Sequence, residues 1–133
     1  MNTILKRQLS LVALCLLLAA CDGPFLILPG GALSGKVHSE PVNDWSFVNA
    51  DFVHLETNAG KPYSVELNYV IKNGHLYIDP AEGRTWFEHL KQNLDVRIRF
   101  DDTIYPVHAE MVGTPGELAG FDIDRFVYRL DSR

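Results

Sequence analysis

Cysteine is almost absent. The 133 residues hold two, Cys15 and Cys21, both near the N-terminus. Beyond them no thiol remains for a disulfide, a thiolate metal site or a cysteine nucleophile. Positive charge is also scarce: 12 Lys and Arg stand against 17 Asp and Glu, a formal charge of −5. An acidic chain of this kind is a poor partner for nucleic acid or for an anionic lipid surface. No uninterrupted apolar run is long enough for a spanning helix. There is no Gly-x-Ser-x-Gly, no P-loop and no dinucleotide fingerprint, and no repeat or low-complexity tract. The five histidines, His38, His54, His75, His89 and His108, are scattered without the i, i+4 spacing of a helical zinc site, so no metal centre is expected.

What is present begins with Lys6 and Arg7, followed by an apolar run from Leu9 to Ala20 broken only by Ser10 and Cys15. That is the charged start and apolar middle of a signal peptide. The run ends at Leu18-Ala19-Ala20-Cys21, which resembles the bacterial lipobox. The resemblance implies acylation of the Cys21 sulfur and a mature chain starting at that residue. Each buried CH₂ contributes about 0.8 kcal/mol, so two or more acyl chains anchor a protein stably. Asp22 resembles the inner-membrane retention signal of enteric bacteria. The expected location is therefore the bacterial cell envelope, on the inner membrane and facing the periplasm. Loss of Lys6 and Arg7 with the leader takes the formal charge from −5 to −7. The chain divides into a signal peptide over 1–20, a lipidated tether over 21–31 and a single domain over 32–133.

The tether carries Phe25-Leu26-Ile27-Leu28 ahead of Pro29-Gly30-Gly31, and two readings stand for it: a segment lying in the membrane interface, or a buried first strand. Ala32 to His38 reads as a short strand. Phe52 to Thr57 alternates, turns at Asn58 to Pro62, and is followed by the cleanest alternation in the chain, Tyr63, Val65, Leu67 and Tyr69. Val70-Ile71 extends that strand, and Asn73-Gly74 marks a type I′ hairpin returning through Leu76 to Asp79. Trp86, Phe87, Leu90 and Leu94 recur at helical spacing over roughly Arg84 to Asn93. Val96, Ile98 and Phe100 then alternate with Asp95, Arg97 and Arg99, and Asp101-Asp102 turns the chain into Thr103 to Val112. Phe126, Tyr128 and Leu130 form a last strand. The aromatic set Trp45, Phe47, Trp86 and Phe87 reads as core. His108 and Glu110 share a polar strand face and read as surface residues rather than acid and base. Six or seven short strands with one helix predict a mainly β fold, a small antiparallel barrel.

The order of elements from Val53 to Gly113 resembles the split β-barrel flavin-binding superfamily, which includes pyridoxamine 5′-phosphate oxidase-like proteins and deazaflavin-dependent nitroreductases. The similar features are the turn-flanked hairpin, the strand Leu76-Tyr77-Ile78, the helix opening on Trp86 and closing on Asn93-Leu94, the strand Val96 to Phe100 and the strand Tyr105 to Val112. The resemblance implies a split barrel that binds FMN or the deazaflavin F420, usually at the interface of a homodimer. It implies phosphate-holding groups among Lys61, Ser64, Arg84, Thr85 and Trp86. Thr85 and Glu88 fit the capping box, which would turn open N–H groups toward an anion. Asp79, with Pro80 and Glu82 after it, is an alternative cap that would set a negative charge there. The chain departs from the family in its short C-terminal end and in its expected location outside the cytoplasm. Two functions follow as expectations: an FMN- or F420-dependent reductase of small organic substrates at the membrane, or a binding or scaffolding lipoprotein that keeps the barrel without a cofactor.

Overall fold

The computed structural model describes residues 23–133; the leader and Cys21 lie outside them. Eight strands and one helix follow one another among these residues. They are β1 (Lys36–Val37), β2 (Val53–Thr57), β3 (Tyr63–Leu67), β4 (Val70–Lys72), β5 (His75–Ile78), α1 (Thr85–Gln92), β6 (Asp95–Phe100), β7 (Thr103–Gly113) and β8 (Val127–Ser132). The strands form one sheet in the order β3-β2-β6-β7-β8-β5-β4, antiparallel throughout, with β1 lying parallel beside the start of β7. β3 and β4 are thus its two edges, yet only Asn68 and Tyr69 separate them in the chain. Three Cα–Cα steps reach about 11 Å at most, so the edges must approach one another and the sheet must curl. The product is a half-barrel.

That break corrects one expectation. Val70-Ile71 does not continue the strand begun at Tyr63; it pairs with β5 at the opposite edge. Tyr69 fixes the change of direction, for its ring meets Phe100 edge-on at 5.1 Å and its hydroxyl donates to the Ala50 carbonyl. The expected strand over Ala32 to His38 shrinks to Lys36–Val37, with Val37 exposed. The other hairpins form where expected. Asn73 and Gly74 both take positive φ, the geometry a type I′ turn requires. β6 pairs with β7 around Asp101-Asp102, and a bulge between Met111 and Gly113 lets β7 curve along β8.

Alternation places one face of β2, β5, β6, β7 and β8 inside. Val53, Leu55, Ile98, Val107, Ala109, Leu76 and Leu130 are all buried. α1 adds Trp86, Phe87 and Leu90 to the same core. Trp45 joins it beside Phe100 and Tyr105, whereas Phe47 is exposed, which corrects its assignment to the core.

The outer face of β3, β2 and β6 is polar and is crossed by the N-terminal segment. Glu56, buried on that face, accepts from the Leu33 N–H at 2.6 Å and from Arg97 Nε and Nη2 at 2.9 and 2.8 Å. Arg97 also donates to the Leu33 carbonyl, Arg99 to that of Ser34, and Gly30 exchanges both backbone bonds with Ser64. A bidentate pair of this kind loses most when one member is cut away and the other is left without compensation. Glu56→Ala is therefore expected to cost about 2 kcal/mol and to loosen the segment ahead of Leu33, which urea unfolding and amide exchange at residues 30–34 would both register.

Candidate functional site

An open cleft of about 460 Å³ lies where the start of α1 faces β3. Tyr63, Val65 and Leu67 form one wall. Opposite them stand Arg84, Thr85 and Trp86 at the head of the helix, with Asp79 before it and Arg125 from the β7–β8 loop. Leu26 and Ile27 form part of the rim, and Glu66, whose carboxylate accepts from the Leu26 N–H, adds to the lining.

The helix start differs from the expected capping box. Thr85 is the first helical residue rather than the cap; Arg84 occupies the cap position and no side chain caps it. Phe87 and Glu88 donate their N–H groups to the Arg84 carbonyl. The Glu88 carboxylate turns away to Lys91 at 2.8 Å, so it does not reach back. Asp79 is not the cap either. Arg84 itself makes no ion pair among the described residues.

Arg125 is committed within its own surroundings. It donates to the Asp79 carbonyl at 3.1 Å and lies 3.5 Å from Asp124 and 3.9 Å from Asp122. Burial pushes the Asp79 carboxyl above its ordinary value; the Arg125 charge opposes this, and Asp122 adds to it. A raised native pKa means stability that is fully present below the unfolded carboxyl's value and is lost as pH rises through the native one. Asp79→Asn removes that dependence. Between about pH 3 and pH 7 the wild type should lose stability relative to the variant, which denaturant unfolding at each pH measures. A wild type that gains on the variant over that range contradicts the assignment.

Of the five residues that the resemblance nominates, Arg84, Thr85 and Trp86 meet in this cleft, and Lys61 and Ser64 do not line it. Lys61 is exposed in the β2–β3 turn, where its backbone is tied to Asn58. Ser64 is wholly buried under the N-terminal segment, and its hydroxyl has no partner among the described residues. A dianionic flavin phosphate would therefore find Arg84 as the one uncommitted cation among the described residues of the lining, to which Glu66 and Asp79 also belong. The donor set does not fit that group.

A second cleft, of about 360 Å³, was not legible in the sequence. It runs between Ala50, Phe52, His54, Glu66, Arg99 and Asp101. His54 Nδ1 stands 2.6 Å from Arg99 Nη2, a contact in which the guanidinium donates, so the ring proton sits on Nε2, 3.3 Å from Glu66. Glu66 also accepts from the Leu26 N–H at 3.1 Å. These groups are outward-facing residues of β2, β3 and β6. Only pairing of His54 with Glu66 on one side and Arg99 on the other joins them. Elsewhere His108 is exposed and sits 2.8 Å from Asp95, and Glu110 holds Arg129 at 2.7 Å. Among the described residues, no group of three or more His, Cys, Asp or Glu side chains is placed to hold a metal ion.

Fold and cleft together define a class, a curled antiparallel half-barrel with an open cleft beside its helix. Comparison of the chain with protein-family models, with curated proteins and with solved structures finds no match.

Proposed function

We propose that the chain is a membrane-anchored binding protein, a half-barrel lipoprotein whose cleft beside α1 takes a small, partly apolar organic molecule of little net charge. The observation that carries this reading is the balance of charge in the cleft. Its lining holds two carboxylates, Glu66 and Asp79, and two guanidiniums, Arg84 and Arg125, of which Arg125 and Glu66 are engaged by their own neighbours. Val65, Leu67, Leu26 and Ile27 add some apolar surface to a mainly polar lining. The volume falls in the range of small-molecule sites.

A second reading is an FMN- or F420-dependent reductase of small organic substrates. It is favoured by the meeting of Arg84, Thr85 and Trp86 at an uncapped helix start, where N–H groups and the helix dipole attract an anion. The two readings separate in one titration of the Asp22–Arg133 chain with FMN and F420. The binding-protein reading expects no shifted flavin spectrum at micromolar concentrations and no effect of Arg84→Ala. A saturable shift that Arg84→Ala weakens would hand the case to the reductase.

A further inference from the structure

We infer that the turn Phe25-Leu26-Ile27-Leu28 inserts into the lipid interface and sets the cleft mouth against the membrane. This goes beyond the proposed function and rests on its lipid anchor at Cys21. The two sequence readings of this segment make opposite demands, because a buried first strand would hide these side chains. Instead all four are exposed, Phe25 at 69 %, Leu26 at 63 %, Ile27 at 95 % and Leu28 at 63 %. Four consecutive large apolar side chains in water form a patch that a soluble surface rarely tolerates.

The backbone of the turn is partly self-paired. Phe25 and Leu28 exchange both hydrogen bonds, at 3.0 and 2.9 Å, and the Leu26 N–H is taken by Glu66. Five of the eight N–H and C=O groups of the turn are thus paired, and the Leu26 carbonyl with the Ile27 N–H and carbonyl stay open to the hydrated headgroups, which suits the interface rather than the hydrocarbon core. The turn is also held, not dangling. Glu66 grips it on one side, and the Gly30–Ser64 bridge fixes the chain that leaves it.

The short connection to the anchor names the occupant. Only Asp22, Gly23 and Pro24 separate Phe25 from Cys21, four Cα–Cα steps with a reach of about 14 Å even when fully extended. Acyl chains on Cys21 would therefore keep the turn at the depth of the headgroups or close to it. A protein partner could approach from any direction, but the membrane is present by construction of the anchor. Insertion driven by these four side chains is apolar and should persist on zwitterionic lipid and at high salt, as the acidic surface requires. Because Leu26 and Ile27 also line the rim of the cleft, the ligand would enter from the interface.

The test uses the mature lipoprotein carrying Ile27→Cys, whose introduced thiol is the one available for labelling once Cys21 is acylated. An environment-sensitive dye there, in phosphatidylcholine vesicles, should shift to the blue, be quenched by lipid-borne nitroxide and be shielded from aqueous iodide. In a parallel assay, Ile27→Asp in the unacylated Asp22–Arg133 chain should weaken vesicle partitioning about tenfold or more. Fatty acid on Cys21 with a dye still open to iodide overturns insertion and leaves the anchor standing. Shielding that does not depend on vesicles overturns it too, since protein then covers the turn. No fatty acid on Cys21, read by mass spectrometry, removes the anchor on which the inference rests and overturns both.

Discussion

Phe87→Ala is expected to lower the free energy of unfolding by about 3–5 kcal/mol, the range for emptying a buried aromatic site. Phe87 is 1 % exposed and is the largest wholly buried side chain described. Its ring centroid lies 5.2 Å from that of Phe126, 5.9 Å from Tyr128 and 6.4 Å from Trp86. It is thus the point at which the helix, the last strand and the chain leading into that strand are joined. The neighbours are themselves large rings held by the helix, the last strand and the chain leading into it, so they close poorly over the space left behind. Lys91, with its ammonium 4.6 Å from the Phe87 centroid, would lose a cation–π contact as well. A domain of this size is stable by about 5–15 kcal/mol, and the variant would keep little of that at the lower end. Urea unfolding should show a lowered midpoint with an unchanged slope. A cost below about 1 kcal/mol would mean that α1 does not pack as described.

The second large effect is on location. If Cys21 is acylated, as proposed, Cys21→Ala should abolish fatty-acid labelling and move the protein from the membrane fraction to the soluble one. Acyl chains of ordinary length bury many CH₂ groups at about 0.8 kcal/mol each, so no contact of the domain can replace them. The Phe25–Leu28 turn would leave only weak, reversible attachment. A wild-type protein that is soluble and unlabelled contradicts the anchor.

The β hairpins were legible because their signals are local. Asn73-Gly74 and the alternation of Val96, Ile98 and Phe100 each specify a partner a few residues away. The helix was legible from Trp86, Phe87 and Leu90, with its ends one residue inside the expected bounds at Arg84 and Asn93. What could not be read depended on distant pairing. Nothing local to Tyr63 through Ile71 shows that two residues carry the chain from one edge of the sheet to the other; Tyr69 does so through contacts with Phe100 and Ala50. The cleft was half legible. Arg84, Thr85 and Trp86 were found because they are consecutive, while Arg125 and Asp79, 46 positions apart, meet only in the fold. Ser64 shows the reverse error: a hydroxyl on a polar strand face reads as accessible, yet the N-terminal segment lies over it.

The central claim, as proposed, is that this cleft does not receive a flavin phosphate but takes a small molecule of little net charge. The most direct test compares FMN with riboflavin, which carries the same ring without the phosphate, on the lipidated protein in mild detergent. The phosphate should add nothing: FMN binds no more tightly than riboflavin, and Arg84→Ala leaves the ratio unchanged. FMN binding about tenfold or more tighter than riboflavin, a gain of about 1.4 kcal/mol, with that gain lost in Arg84→Ala, would contradict the account.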